Sequence, residues 1–598
     1  MASGPPTPPK TPEELHFEPQ PMVAWFAPSE LTRAGIKALL SSMFGAYADY
    51  REVQAALREQ QVVDYSGEEE IWIDYIADVG DGFGSTYTMA RLLAEKKLDL
   101  TDPKGQVHST EKGRLLVFGG DQVYPTANRD EYQNRLVGPY RAAFPWGPEE
   151  EAPHVYAVPG NHDWYDGLTS FTRLFCQGRW IGGWKTRQTR SYFALKLHHG
   201  WWLWGIDVQL ESDVDEPQLQ FFDKVAGQQM EPHSKIILCV AEPSWVYTAT
   251  KGEETYRNVA HFQQRCIVKH GHSVEVGLAG DLHTYARYQR QGRTEQVFVA
   301  GGGGAYLYPT HDLPKKLVLP VPPDRHLDYQ LEKVHPPEGK SRWKTLGALL
   351  FPIKNWKFSL LLSGIYLFYS WVWQSASIGK GAEGSLLEKL AGFRPSGGTG
   401  FNEVVKEFAA AIAHSPGSIM LLALLVIGLI AFAQMKSTFG KILLGLTHAA
   451  AHLVVILGWM WVFALINLSE WGLEWNVDAT EQVILFGAEM LVVGGAAGGL
   501  VMGVYLVLSN LLLRTHTNEV YSCQSLPGYK NFLRLHLSRD GKLTIYPVGV
   551  DKVIRWRKFR GRCGWRLRPD AQPGEAWIEP ADGPITEYAK LIEPPVVL

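Results

Sequence analysis

The sequence predicts an α/β domain followed by a helical membrane region and a β-rich tail. Six short apolar runs between Ile71 and His311 each end in a polar cluster or a glycine-rich turn, as buried strands do when they deliver functional groups to loops at one edge of a sheet. From Phe358 the pattern changes to four long apolar runs. With 598 residues the chain is too long for one core, and a formal net charge of −4 gives no argument for a nucleic-acid partner.

In chain order, residues 1–20 contain "MASGPPTPPKTPEEL", which lacks the apolar stretch of a signal peptide and reads as a disordered, Pro-rich lead. Residues 21–70 read as a helical N-terminal segment and 71–317 as the strand-rich domain. Its strand ends carry Asp78 and Asp81 in "IWIDYIADVGDG", Asp121 and Tyr124 in "RLLVFGGDQVYP", and Asn161, His162 and Asp163 in "VYAVPGNHD". "KIILCVAEPSW" adds Glu242, "VEVGLAGDLHTYARY" adds Asp281 and His283, and "QVFVAGGGGAYLYPTH" ends in four glycines with His311 beyond. Turn propensity alone seldom yields such a series. Carboxylates and imidazoles converging at strand ends are what a two-metal hydrolytic site requires. Five cysteines without CxxC spacing give no sign of disulfides or a zinc knuckle.

The order DxG, GDxxY, GNHD and GDLH, followed by a Gly-rich strand end, resembles the calcineurin-like metallophosphoesterases over Ile71–His311, and GDxxY resembles their purple acid phosphatase branch. "GIDVQLESDVDEPQLQFF", from Gly205 to Phe222, looks like that family's strand and Gln-Leu helix. The resemblance implies a two-sheet αββα metallophosphoesterase sandwich and hydrolysis of a phosphomonoester or phosphodiester by a metal-bridging hydroxide at a dinuclear site. It places Asp78, Asp121 and His283 on one divalent metal, with Asp121 bridging to a second held also by Asn161. His162 would be the acid, and Asp163 would orient it. Tyr124 is either a ligand or a packing residue, and Asp81 either a ligand or a helix cap. Arg287 and His311 either contact phosphate or lie on solvated loops.

Two positions depart from the family pattern. Glu242 stands where a lone His is usual, and Asp281 replaces the first His of GHxH. Both make the second position oxygen-rich, which suits Mn²⁺ better than Zn²⁺ or Fe, with Mg²⁺ a further candidate. The alternative is loss of the second metal.

Residues 318–357 read as a basic linker. Four transmembrane helices are expected within 358–513, from "FSLLLSGIYLFYSWVW", "SIMLLALLVIGLIAFAQM", "ILLGLTHAAAHLVVILGWMWVFALINL" and "VILFGAEMLVVGGAAGGLVMGVYLVLSNLLL", since a bilayer needs roughly 20 apolar residues per helix. Small-xxx-small glycines in the last run suit close helix packing, and His448, His452 and Glu489 are expected to bond one another. Lysine and arginine flank the first run and join the second to the third, whereas Ser469–Gln482 has four acidic residues and neither Lys nor Arg. This asymmetry predicts a multi-pass protein with both termini and the catalytic domain cytoplasmic. Residues 514–598 read as a cytosolic tail with a hairpin across Asp540-Gly541 and a basic cluster from Lys552 to Arg568, either solvated or facing anionic headgroups. The expected partners are a phosphate-ester substrate, membrane-associated or not, and the lipid bilayer. Rival readings are a non-catalytic metal-binding sensor or scaffold, and a transporter regulated by the phosphoesterase-like domain.

Overall fold

The computed structural model describes residues 5–33, 35–36, 60–208, 214–321, 325–378, 385–393, 400–413, 415–468, 479–554, 558–559, 562–563, 565–580 and 583–598. They fall into two compact units, one of Met1–Val23, Thr32–Ser341 and Ser525–Leu598, the other of Ala24–Leu31 and Arg342–Gln524.

The first unit is built on two nine-stranded sheets. One runs in the order Val63–Asp64, Phe193–Lys196, Trp201–Gly205, Lys235–Cys239, Ser273–Ala279, Gln296–Ala300, Tyr285–Arg290, Arg325–His335 and Lys316–Val321. The other runs Lys590–Leu591, Leu543–Val550, Lys530–Leu537, Ile71–Ile76, Leu115–Phe118, His154–Ala157, Trp184–Thr186 and Trp180–Ile181, with Val596–Val597 also on Leu543–Val550. Between the sheets lies an apolar layer that includes Tyr75, Val117, Phe193, Leu203, Ile237, Phe298, Leu533 and Ile545. Helices Phe83–Ala94 and Gly138–Ala143 cover the outer face of the second sheet, and Glu216–Gln228 and Arg257–Cys266 cover that of the first. The expected α/β layering is therefore present. The central strands Ile71–Ile76, Leu115–Phe118 and His154–Ala157 are parallel and almost wholly buried, which is why they read as continuous apolar runs.

Three expected boundaries need correction. Residues 1–20 are not a free lead throughout: Pro12–Leu15 is a short 3₁₀ helix, and Leu15 and Phe17 are buried in the core. Much of the supposed linker 318–357 belongs to the first sheet, since Lys316–Val321 and Arg325–His335 pair as an antiparallel ribbon. From Ser525 the tail is part of the first unit, and its Lys530–Leu537 strand pairs antiparallel with Ile71–Ile76. Of the expected N-terminal helical segment, residues 37–59 lie outside the described residues.

In that pairing Arg534 lies opposite Asp74. Its Nε and Nη2 donate to Asp74 Oδ1 and Oδ2 at 2.7 and 3.1 Å, and Nη1 donates to Thr110 Oγ1 at 3.3 Å. Gly113 N also donates to Asp74 Oδ2, at 3.0 Å. Arg534 is wholly buried. A bidentate pair with its lone pairs satisfied is the arrangement in which burial of two charges is tolerated.

Among the described residues of the second unit, two helices, Thr438–Leu468 and Thr480–Leu513, are long and apolar enough to cross a membrane, or up to three spans if the pair Gly400–Ala413 and Pro416–Phe432, bent by 98°, counts as one. Of the expected four, these two pass on length and composition. Pro416–Phe432 has only 17 residues, and Trp356–Ile378, at 23, is diluted by Ser, Tyr, Trp and Gln. The glycines act in packing, as expected: a Cβ on Gly495 would lie 1.8 Å from Ser363 Oγ, and one on Gly499 2.5 Å from Ser359 Oγ. His448 and His452 meet through their Nε2 atoms at 3.1 Å, but Glu489 does not join them, because its Oε2 accepts from Asn467 at 2.7 Å.

Replacing Arg534 by Met should lower the stability of the first unit by about 3–5 kcal/mol, the cost of stranding one buried charge. Urea unfolding checks this, and an unchanged midpoint would mean that the C-terminal hairpin does not close this sheet.

Candidate metal centre

Three of the expected residues stand just beyond strand ends in the left-handed region, Asp78 at φ 57°, Asp121 at 50° and Asp281 at 63°. Non-glycine residues seldom adopt this conformation, and where they do the surrounding structure enforces it. Here backbone bonds do so. Asp78 N donates to Gly120 O at 3.0 Å and Val79 N to Asp121 O at 3.1 Å, which locks two strand ends together. Asp281 N donates to Asp78 Oδ2 at 2.9 Å and so ties in the third.

The side chains converge on the Tyr124 hydroxyl. Its oxygen lies 2.9 Å from Asp78 Oδ1, 3.1 Å from Asp121 Oδ2 and 3.1 Å from His283 Nε2. His283 Nδ1 donates to Tyr306 O at 2.9 Å, which leaves Nε2 of the neutral ring as an acceptor. Asp78, Asp121, Tyr124 and His283 are buried, whereas Asn161, His162, Glu242 and Asp281 are half-buried.

Burial, with the charges of Asp121 and Asp281, raises the Asp78 carboxyl well above its ordinary value. Burial and Asp281 push Asp121 to about 7. Burial lowers His283 to about 3, helped by Lys530, and His162 to about 4. The carboxylates therefore repel one another in a place that disfavours charge, the condition a cation relieves.

Among the described residues, no group of three or more His, Cys, Asp or Glu side chains alone is arranged to hold a metal. The donor set fits an ion once tyrosine and asparagine are included. Asn161 Nδ2 donates to Tyr165 Oη at 3.2 Å, which leaves Asn161 Oδ1 facing both Asp121 carboxylate oxygens, acceptor against acceptor, at 3.0 and 3.3 Å. Turned over, the amide donates to Asp121 and accepts from Tyr165 Oη; unturned, its oxygen joins the Asp121 carboxylate as a ligand that would hold a cation.

Other expected residues sit differently. His162 N donates to Asp121 Oδ1 at 2.9 Å, and its ring Nδ1 meets Pro125 O at 2.7 Å. That carbonyl, and not Asp163, orients the ring. The Asp163 carboxylate instead accepts from Tyr132 Oη at 2.6 Å and Gly160 N at 2.9 Å, and so pins the turn. Asp81 Oδ1 accepts from Val23 N at 2.7 Å. Arg287 is paired with Glu593 through two bonds of 2.9 and 2.7 Å, and His311 is buried with Nδ1 2.8 Å from Ser341 Oγ, so neither lies on the solvated loop that was the alternative to phosphate contact. Glu242 and Asp281 lie around Tyr247, whose hydroxyl bonds to Asp281 Oδ2 and whose ionisation both carboxylates oppose. In the basic cluster Arg566 and Arg568 pair with Glu579 and Glu575, while Arg555, Arg557 and Arg560 lie outside the described residues.

Sequence reading missed Tyr247 and Lys530. Tyr247 follows Glu242 in "EPSWVY", where an aromatic near a ligand strand was a usable signal. Lys530 carried none, because its place depends on a strand pairing across the whole chain.

Residues 71–292 match the family model for calcineurin-like phosphoesterases. Among solved structures, one titled "Structure of PhoD" is similar at 12% identity and a TM-score of 0.25, over 40% of this chain and 58% of that one. No curated protein matches the chain.

A Cβ at Gly160 would lie 2.1 Å from Asp121 Oδ1. Gly160→Ala should therefore displace that carboxylate and weaken Mn²⁺ binding by roughly tenfold or more, with circular dichroism unchanged. Titration with Mn²⁺ measures it, and unaltered affinity would remove Asp121 from the centre.

Proposed function

We propose that the chain is a membrane-anchored, metal-dependent phosphoesterase, with Asp78, Asp121, Tyr124, Asn161 and His283 holding divalent cations and Glu242 and Asp281 completing a second, oxygen-rich position. The observation that carries this reading is the convergence of Asp78, Asp121 and His283 on the Tyr124 hydroxyl. The match of residues 71–292 to calcineurin-like phosphoesterases supports the reaction class. When bound, the cations would offset negative charge on the phosphoryl group and lower the pKa of water so that hydroxide is available at neutral pH. The ligand chemistry favours Mn²⁺ or Mg²⁺ over Zn²⁺.

His162 is half-buried beside Asp121, within reach of an entering phosphate ester on this reading. Its Nδ1–H bond to Pro125 O fixes the tautomer and presents Nε2 for proton exchange. With a pKa of about 4 the ring is neutral in the free protein at pH 7. An anionic ester beside it stabilises the protonated form, which can then give its proton to the leaving oxygen.

Hydrolysis of an aryl phosphate ester with added Mn²⁺ tests the reading. Asp121→Asn should lower the rate roughly 100-fold or more, the scale lost when a charge-stabilising group is removed. Mn²⁺ binding without turnover on monoesters or diesters would favour the sensor or scaffold.

The apolar helices of the second unit support the anchor, and the lysine and arginine distribution supports a cytosolic phosphoesterase unit. Such a position suits a substrate that is itself membrane-associated. The protein should stay in the membrane pellet after alkaline carbonate extraction, and a cysteine placed at Asn476 should be labelled from outside. Release by carbonate would overturn the anchor, and labelling only from inside would overturn the topology.

A further inference from the structure

The Gly301–Leu307 loop backs the candidate centre on its buried side. Ala305 N donates to Asp78 O and Gly303 N to Ala77 O, both at 2.9 Å. The loop also supplies the Tyr306 carbonyl that receives His283 Nδ1. It therefore holds the backbone of one candidate ligand and the ring of another.

Residues that follow the helical segment hold this loop in turn. Leu307 N donates to Leu526 O and Asn531 N to Gly302 O, each at 3.0 Å, and Lys530 Nζ bonds to Ala305 O. Lys530 is wholly buried, on the strand that pairs with Ile71–Ile76, and the charges of Asp81 and Asp78 act on it. Lysine is seldom fully buried, and an apolar side chain would fill the same space at less cost in desolvation. A requirement beyond packing accounts for it better.

We propose that Lys530 is a positioning residue of the phosphoesterase centre. It pins the Gly301–Leu307 loop and, through that loop, sets Asp78 and His283 where metal binding needs them. The inference rests on the metal-dependent reading above and adds to it a dependence on residues beyond the helical segment.

The test uses the full-length protein and Mn²⁺ alone, with free Mn²⁺ followed by electron paramagnetic resonance. Lys530→Met should weaken Mn²⁺ binding roughly 10–100-fold, as loss of a group that orients metal ligands does. It should lower kcat on an aryl phosphate with little change in KM. Lys530→Arg, which keeps a cationic donor, should recover most of the affinity. Tyr285→Phe, which removes a buried 2.5 Å bond to Glu593, serves as the comparison, since it should cost stability without altering Mn²⁺ affinity. If Lys530→Met does not fold, Lys530→Gln, too short to reach Ala305, is read in its place. Parent-like Mn²⁺ binding in a folded Met or Gln variant overturns the positioning role alone. A wild-type chain that binds no Mn²⁺ overturns the phosphoesterase reading, and this inference with it.

Discussion

The bond between Asp74 and Arg534 joins residues 460 positions apart, and the rest of the first unit is organised around it. Asp74 lies on the strand that leads into Asp78, and Arg534 lies four residues after Lys530. Because both charges are buried, neither strand can stay in place without the other, and the register of the pairing follows from the one position where the charges cancel. The same register aligns Lys530 with the Gly301–Leu307 loop. The sheet and the candidate centre thus share one electrostatic condition.

The centre itself runs against folding stability. Asp78, Asp121 and Asp281 take up a left-handed backbone, and two of them are fully buried beside like charge. Local strain and repulsion of this kind persist only where the surroundings enforce them. Here the enforcement comes from strand-end backbone bonds and from tight turns such as the one at Gly160. A sheet that places several loops at one edge can hold such a cluster, because each loop is fixed by its own strand.

Much of this was legible in the sequence, for a physical reason. Buried parallel strands must be apolar throughout, so the polar residue that ends each one stands out, as Asp78, Asp121 and Asn161 do. The roles of Asp163, Arg287 and His311 were not legible, because their partners Tyr132, Glu593 and Ser341 come from elements whose proximity only the fold creates. The Lys530–Leu537 strand was misleading in a specific way. Its alternation reads as one arm of a hairpin in the tail, yet its Arg534 is buried against Asp74. Two of the four expected spans fall short among the described residues because Pro416–Phe432 is only 17 residues long and Trp356–Ile378 is diluted by polar and aromatic residues.

The helical segment departs from the first unit after Ser341 and returns to the same unit at Ser525. Both ends of that excursion must therefore lie on one side of any bilayer it enters, and the number of complete crossings must be even. Length and composition admit two crossings or three, and this closure removes three. If Thr438–Leu468 and Thr480–Leu513 both cross, the bent pair either turns back on the side it came from or is matched by a further crossing such as Trp356–Ile378. The parity of any such crossing thus follows from both ends of the segment belonging to one folded unit, independently of charge bias in the loops.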